Sequence, residues 1–183
     1  MPAMEEHLFW IVSRAAGTAA LLLSSAAVGV GLTMGKRLVK GRGVDLRSAH
    51  EALSLATLIA IVVHAVALLG DSFLNASVLD ITLPFVSGYK EPWMSIGIVS
   101  GWALVALGVS YYFRTRIGVA RWKRLHRWTA LAWVLGIAHS LGEGTDAGTT
   151  WFLALTAVAV VPALGLLVVR HLPSTSTPAP SRT

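Results

Sequence analysis

Four histidines, His50, His64, His126 and His139, stand in or at the edge of strongly apolar stretches. An ionisable side chain in the hydrocarbon region of a bilayer costs on the order of 2.5 to 3.5 kcal/mol or more, so it is kept there by a partner or a task. His50 and His64 are separated by fourteen residues in "LRSAHEALSLATLIAIVVHAVALL", and His126 and His139 by thirteen in "LHRWTALAWVLGIAHS". Each histidine alone reads equally well as a hydrogen-bonding strut to a neighbouring helix. Two pairs point instead to metal ligation through the ring nitrogens. Zinc or copper would want a third or fourth ligand nearby, and none is evident. The chain has no cysteine, which excludes disulfides, thiolate metal sites, iron–sulfur clusters and covalently attached c-type haem. Paired imidazoles on facing helices suit bis-histidine axial ligation of two stacked b-type haems.

The elements that must position these rings are membrane helices. Of 183 residues, 55% are hydrophobic and 13% charged, and the mean hydropathy is +0.67, well outside the usual soluble composition. The fold class expected is all-α, a polytopic membrane helical bundle. A bilayer core of about 30 Å needs roughly 20 apolar residues per helix. Five stretches qualify as transmembrane helices, over approximately 8–33, 49–70, 93–113, 125–142 and 150–170. Pro162 is expected to kink the fifth. The opening "MPAMEEH" is acidic where a signal peptide would be basic, so the first apolar run is expected to stay as a helix. Residues 1–172 read as one membrane domain, and "PSTSTPAPSRT" over 173–183 as a disordered cytoplasmic tail.

Charge gives the orientation. Lys36, Arg37, Lys40, Arg42 and Arg47 fill the first connection, and Arg114, Arg116, Arg121, Lys123, Arg124 and Arg127 the third; Arg170 and Arg182 follow the last span. Asp71, Asp80, Glu91, Glu143 and Asp146 occupy the second and fourth against a lone Lys90. By the positive-inside rule the N-terminus is outside and the C-terminus cytoplasmic, in a multi-pass protein of the plasma membrane whose constant partner is the lipid bilayer. Trp10, Trp93 and Trp151 then mark the outer interface, and Trp122 and Trp128 the inner one. The net charge of +6 follows from this topology, and no nucleic-acid partner is expected. The connection "DSFLNASVLDITLPFVSGYKEPW" is too short and interrupted to span, and reads as an interfacial cap over the outer end.

Spans two and four run the same way, so at about 1.5 Å per residue His64 lies roughly 21 Å outward of His50, and His139 roughly 20 Å outward of His126. His50 and His126 therefore form the inner haem site, and His64 and His139 the outer. Helical phase complicates the fourth span. Fourteen residues return to within ~40° of the starting face, whereas thirteen miss by ~140°. Either Gly136 permits local overwinding or a kink, or the two haems approach that span from different flanks.

Arg14 needs a counter-ion in the outer part of the first span. Outer-haem propionates would serve as cofactor-binding partners, and snorkelling to headgroups is the plainer reading. Glu51 reads as a cytoplasmic-rim residue paired with Arg47 or solvent, and His7 and His171 as interfacial residues. Trp133, at mid-membrane, either bridges the two haem edges or simply packs. Gly97 and Gly101 form a small-x-x-x-small pattern that admits a helix or a flat macrocycle closely.

The histidine-bearing stretches "AHEALSLATLIAIVVHAVALL" and "RLHRWTALAWVLGIAHSLGEGTDAG", with "WIVSRAAG" in the first span, resemble the ferric-reductase-like transmembrane domain. That domain is shared by ferric reductases, NADPH oxidases and the haem-binding membrane subunit of the bacterial methionine sulfoxide reductase system. The resemblance covers roughly residues 8 to 170. It implies single-electron transfer across the membrane to an extracytoplasmic acceptor: ferric iron, oxygen or a partner reductase. Only eleven residues follow Leu172, and no G-x-G-x-x-G fingerprint occurs. FAD or FMN and NAD(P)H are therefore expected only through a separate partner, a cytoplasmic flavin reductase, with a membrane quinol as the other possible donor. The chain would then be the haem subunit of an oxidoreductase. A small transporter or proton-conducting bundle, its histidines lining a hydrated path, is the competing reading.

Overall fold

The structure, a computed structural model, describes residues 2–35 and 42–171. Lys36, Arg37 and Lys40, and the tail expected to be disordered over 173–183, lie outside the described residues. Eight helices are present among those described: α1 (Pro2–Gly35), α2 (Gly43–Leu68), α3 (Val78–Thr82), α4 (Glu91–Val109), α5 (Arg114–Ile117), α6 (Val119–His126), α7 (Thr129–Glu143) and α8 (Thr150–His171). No strand occurs among the described residues.

Four of these, α1, α2, α4 and α8, are each long and apolar enough to cross a bilayer. In hydrocarbon every polar group must find its partner inside the protein. Several hydroxyls along these helices do so by bonding back to their own backbone: Ser25 Oγ to the Leu21 carbonyl at 2.7 Å, Thr33 to Gly29 at 2.8 Å and Thr57 to Leu53 at 2.8 Å; Ser13 and Ser100 bond across to the His64 and Ala132 carbonyls. Pro162 lies inside α8, which continues through it without interruption.

The remaining span differs from its expected form. In place of one helix over 125–142, the chain makes the basic α6, a turn at Arg127–Trp128, and the apolar α7. The turn is stitched by Trp128 N–H to the Leu125 carbonyl at 2.9 Å and Ala130 N–H to the Arg127 carbonyl at 3.3 Å. Thr129 Oγ1 takes the His126 carbonyl at 2.6 Å, competing with the helical ladder where it breaks.

Helices α2, α1, α7 and α4 follow one another around a ring, α1 packing along α2 and α7, α4 along α7, and α2 touching α4 more lightly. Helix α8 braces the ring from outside, against α1. The apolar core lies at that brace and comprises Leu21, Trp133, Phe152, Val160 and Ala163. Trp133 is 1% exposed, and its Nε1 donates to Ser25 Oγ at 3.0 Å. Of the two readings offered for this residue, packing is what these contacts describe.

The connection between α2 and α4 closes the acidic end. A capping box between Ser77 and Asp80 starts α3. Hydrogen bonds from the Ser77 side chain and backbone hold the Asp80 carboxyl below its ordinary value. The segment is tied to α4 at two levels, by Phe85 N–H to Ser95 Oγ at 2.8 Å and by Trp102 Nε1 to the Thr82 carbonyl at 2.9 Å. Asn75, Phe85 and Lys90 take positive φ values of 44°, 66° and 37°, a conformation rarely adopted outside glycine and asparagine.

Candidate functional site

The ring brings the four histidines together in two facing pairs across its diagonal. His50 on α2 faces His126 at the end of α6, with ring centres 6.1 Å apart and planes at 88°. His64 on α2 faces His139 on α7 at 6.3 Å and 71°. The fourteen-residue interval on α2 keeps its two rings on one face. On the opposite side the break at Arg127–Trp128 solves the phase problem. Bonds from each residue to the third before it wind the chain by about 120° per residue instead of 100°, and His126, ending its own helix, is released from the phase of α7. Gly136 is not the cause: α7 is regular there, and a Cβ on Gly136 would meet Ser100 Oγ at 3.1 Å.

Each ring is held from behind by the backbone of the helix next to it. His50 Nδ1 donates to the Ala27 carbonyl at 2.9 Å and His64 Nδ1 to the Ser13 carbonyl at 2.8 Å, both on α1. His139 Nδ1 donates to the Trp93 carbonyl of α4 at 2.8 Å, whereas His126 Nδ1 has a long contact of 3.5 Å with Thr129 Oγ1 and the Leu107 backbone of α4 close by. A carbonyl only accepts, so at those three rings Nδ1 carries the proton and Nε2 keeps its lone pair. Glycines provide the space. A Cβ on Gly17 would stand 3.0 Å from the His64 ring, and one on Gly31 3.1 Å from the His50 ring. A Cβ on Gly97 would clash outright with the His139 ring.

Beside His64 and His139 lies a cavity of about 560 Å³, within the size range of small-molecule and cofactor sites. Ile61, Trp102 and Trp133 are among its apolar walls, and Phe73, Leu74 and Tyr89 of the α2–α4 connection border it. The segment read as a cap thus closes part of this cavity. Arg14 also lines it, and the counter-ion the structure supplies is Asp146: the guanidinium makes a two-pronged ion pair with that carboxylate. Trp10 lies 4.7 Å beneath the guanidinium. Asp71 and Asp146, at 4% and 6% exposure, are built into the cavity wall. The sequence marks them only as topology signals. His7 is exposed near the start of α1, away from both pairs.

These features fit haem. Two imidazoles on one metal, with bonds of about 2 Å, place their ring centres about 6 Å apart. Both pairs meet that separation, and at His50, His64 and His139 the protonated Nδ1 is turned to a carbonyl in the manner of ligating histidines. The two pairs share no carboxylate, and no cluster of three or more His, Cys, Asp or Glu residues arranged for a metal ion occurs among the described residues.

A family model described as the ferric reductase like transmembrane component matches residues 15–137. The chain belongs to that family. Membership gives this ferric-reductase-like domain a role in membrane electron transfer, and domains of the family generally bind haem. His50, His64 and His126 fall within the matched residues, and His139 lies two residues beyond them. No curated protein and no solved structure matches the chain. The supporting residues Ser13, Gly17, Ala27 and Gly31 went unnoticed in the sequence. The signal for them was present: Ser13 to Ala27 and Gly17 to Gly31 repeat the fourteen-residue interval from His50 to His64.

Proposed function

We propose that the chain carries single electrons across the membrane through two b-type haems, one of which His50 and His126 would hold and the other His64 and His139. The observation that carries this reading is the pairing itself: two sets of facing imidazoles at metal-spanning distance, with three of the four Nδ1 atoms given to carbonyls. When bound, haem supplies the one-electron redox change. The chain's own contribution is geometric and electrostatic. Ser13, Ala27 and Trp93 fix the neutral tautomer that leaves Nε2 free, and the glycines leave room for the rings.

In this reading the basic end is cytoplasmic and the acidic end outside. Arg114, Arg116, Arg121, Lys123, Arg124 and Arg127 surround the His50–His126 pair with positive field, suited to an acidic flavin reductase or to anionic headgroups beside a quinol. Electrons leave near the cavity at the His64–His139 pair for an extracytoplasmic acceptor. Arg14 and Asp146 set the charge at that exit.

The deciding experiment is a pyridine haemochrome assay on protein expressed with ample haem, followed by histidine variants. Two b-type haems per chain are expected. His50→Ala or His126→Ala should remove one, and His64→Ala or His139→Ala the other. Haem-free protein, or loss of the same haem in a cross pair such as His50→Ala and His139→Ala, overturns the proposal.

A further inference from the structure

The two helix hairpins that carry the histidines are built on one plan. Ser13, Gly17 and Ala27 on α1 stand eighty residues before Trp93, Gly97 and Leu107 on α4. Each helix presents a backbone partner to one histidine and, fourteen residues on, a partner to the next. Where the glycine belonging to the backbone partner can be identified, it lies four residues after it: Ser13 with Gly17, Ala27 with Gly31, and Trp93 with Gly97. The fourth half-site departs from the plan. Four residues after Leu107 stands Tyr111, in the turn that ends α4.

His126, which this half-site supports, is also the ring with the weakest helical scaffold, because α6 ends on it. Thr129 Oγ1 lies 3.5 Å from its Nδ1 but donates to the His126 carbonyl at 2.6 Å, so something else must fix the ring plane. Trp122, one turn earlier on α6, lies parallel to the His126 ring at 5.0 Å and 24°. Its Nε1 donates to Ser110 Oγ at 3.2 Å, and Ser110 Oγ donates to the Leu107 carbonyl at 2.6 Å. Leu107 is the residue whose backbone partners His126. Tyr111 packs edge-on against Trp122 at 5.8 Å, with Arg114 over its own ring at 4.1 Å. Trp122 thus touches the imidazole face and, through Ser110, the residue behind it.

We infer that Trp122 is the positioning residue for His126, doing through a stacked ring and the Ser110 relay what a carbonyl with a glycine does at the other three half-sites. The inference rests on the proposal that His126 would hold one of the haems. A plain packing tryptophan would contribute to stability without setting the angle between His50 and His126. A positioning one sets that angle, which the low-spin ferric haem signal reads directly.

The test is electron paramagnetic resonance with redox titration on the full haem-loaded chain, comparing wild type, Trp122→Leu, Trp122→Phe and Ser110→Ala. Trp122→Leu should change the anisotropy of the His50–His126 haem signal and release that haem about tenfold more readily, leaving the His64–His139 signal as in wild type. Trp122→Phe, which keeps a stacking face, should stay close to wild type, and Ser110→Ala should fall between. An unchanged His50–His126 signal in Trp122→Leu overturns the inference. So does equal damage to both haem signals, which marks a folding residue, or a Phe variant as altered as the Leu variant. Wild-type protein without two haem signals would instead sink the haem proposal itself.

Discussion

The His64–His139 pair and the His50–His126 pair present the same donor atoms at nearly the same separation, yet the chain builds them differently. At the acidic end both rings project from uninterrupted helices, each backed by a carbonyl with a glycine below the ring, and beside them are a cavity and an Arg14–Asp146 ion pair. At the basic end one ring keeps that arrangement and the other stands at a helix terminus, stacked on Trp122. Close helix packing alone suffices where both helices are continuous. Where thirteen residues replace fourteen, the helix must be broken and a side chain recruited to do what the backbone no longer does.

The glycines give the harshest way to break this comparison. Gly97→Ala drives a methyl group into collision with the His139 ring, with α4 and α7 already in contact. Overpacking of this kind costs about 1–3 kcal/mol, so affinity for haem at the acidic-end pair should fall about 5- to 150-fold while the other pair stays loaded. Gly17→Ala and Gly31→Ala ask their rings to move by only tenths of an ångström and should weaken their respective sites far less. Haem stoichiometry across the three variants checks the order. Equal loss in all three would show that the glycines act on general helix packing instead of on individual rings.

Trp133 sharpens the distinction between levels, because it belongs to the core at the brace while also lining the acidic-end cavity. Trp133→Phe deletes the hydrogen bond to Ser25 and leaves a gap in a site that is 1% exposed. A loss of about 1–3 kcal/mol is expected, visible as a lower melting temperature in detergent, with both haem spectra retained. Loss of transfer between the two haems without loss of stability would instead give the indole an electronic role.

Removing either member of the Arg14–Asp146 pair should move only the acidic-end haem, and in opposite directions. Arg14→Ala leaves the Asp146 carboxylate uncompensated and lowers that midpoint potential, because added negative charge disfavours the reduced centre; Asp146→Asn raises it. With partial solvent access the shifts should be on the order of tens of millivolts. Redox titration of each variant reads the sign. Equal shifts at both haems would detach the pair from the site.

Much of this arrangement is legible in the sequence, for physical reasons that also explain what is not. Membrane spans announce themselves through length and apolarity, and the histidines through their cost in lipid, so the helical bundle and the pairing by depth follow from residue positions and a fixed rise per residue. The break at Arg127–Trp128 is hidden because its residues lack glycine and proline, and only the thirteen-residue interval hints at it. The burial of Asp146 is hidden because loop acids ordinarily face water, and the arginine that draws this one inward is 132 residues away. The supporting glycines are lost among 17 until the histidine period is laid over them.

The mildest test concerns the cap, which borders the acidic-end cavity and has no counterpart beside the other pair among the described residues. Its lower tie is one hydrogen bond, from Trp102 Nε1 to the Thr82 carbonyl, at a tryptophan that is 56% exposed. Its upper tie, Phe85 N–H to Ser95 Oγ, remains when Trp102 changes. Trp102→Phe keeps most of the apolar surface and deletes only the donor, so the cost should be about 1 kcal/mol. The global melting point should barely move, since α3 contributes nothing to the core around Trp133. The loss should appear locally, as about a fivefold rise in amide exchange at Leu83, whose N–H closes the last turn of α3 on Leu79. Haem should also leave the acidic-end pair faster than the basic-end pair, because only the former lies behind this segment. Equal rates from both sites, with faster exchange at Leu83, would mean that the cap can open without exposing the cavity, and that its role is confined to anchoring the connection along α4.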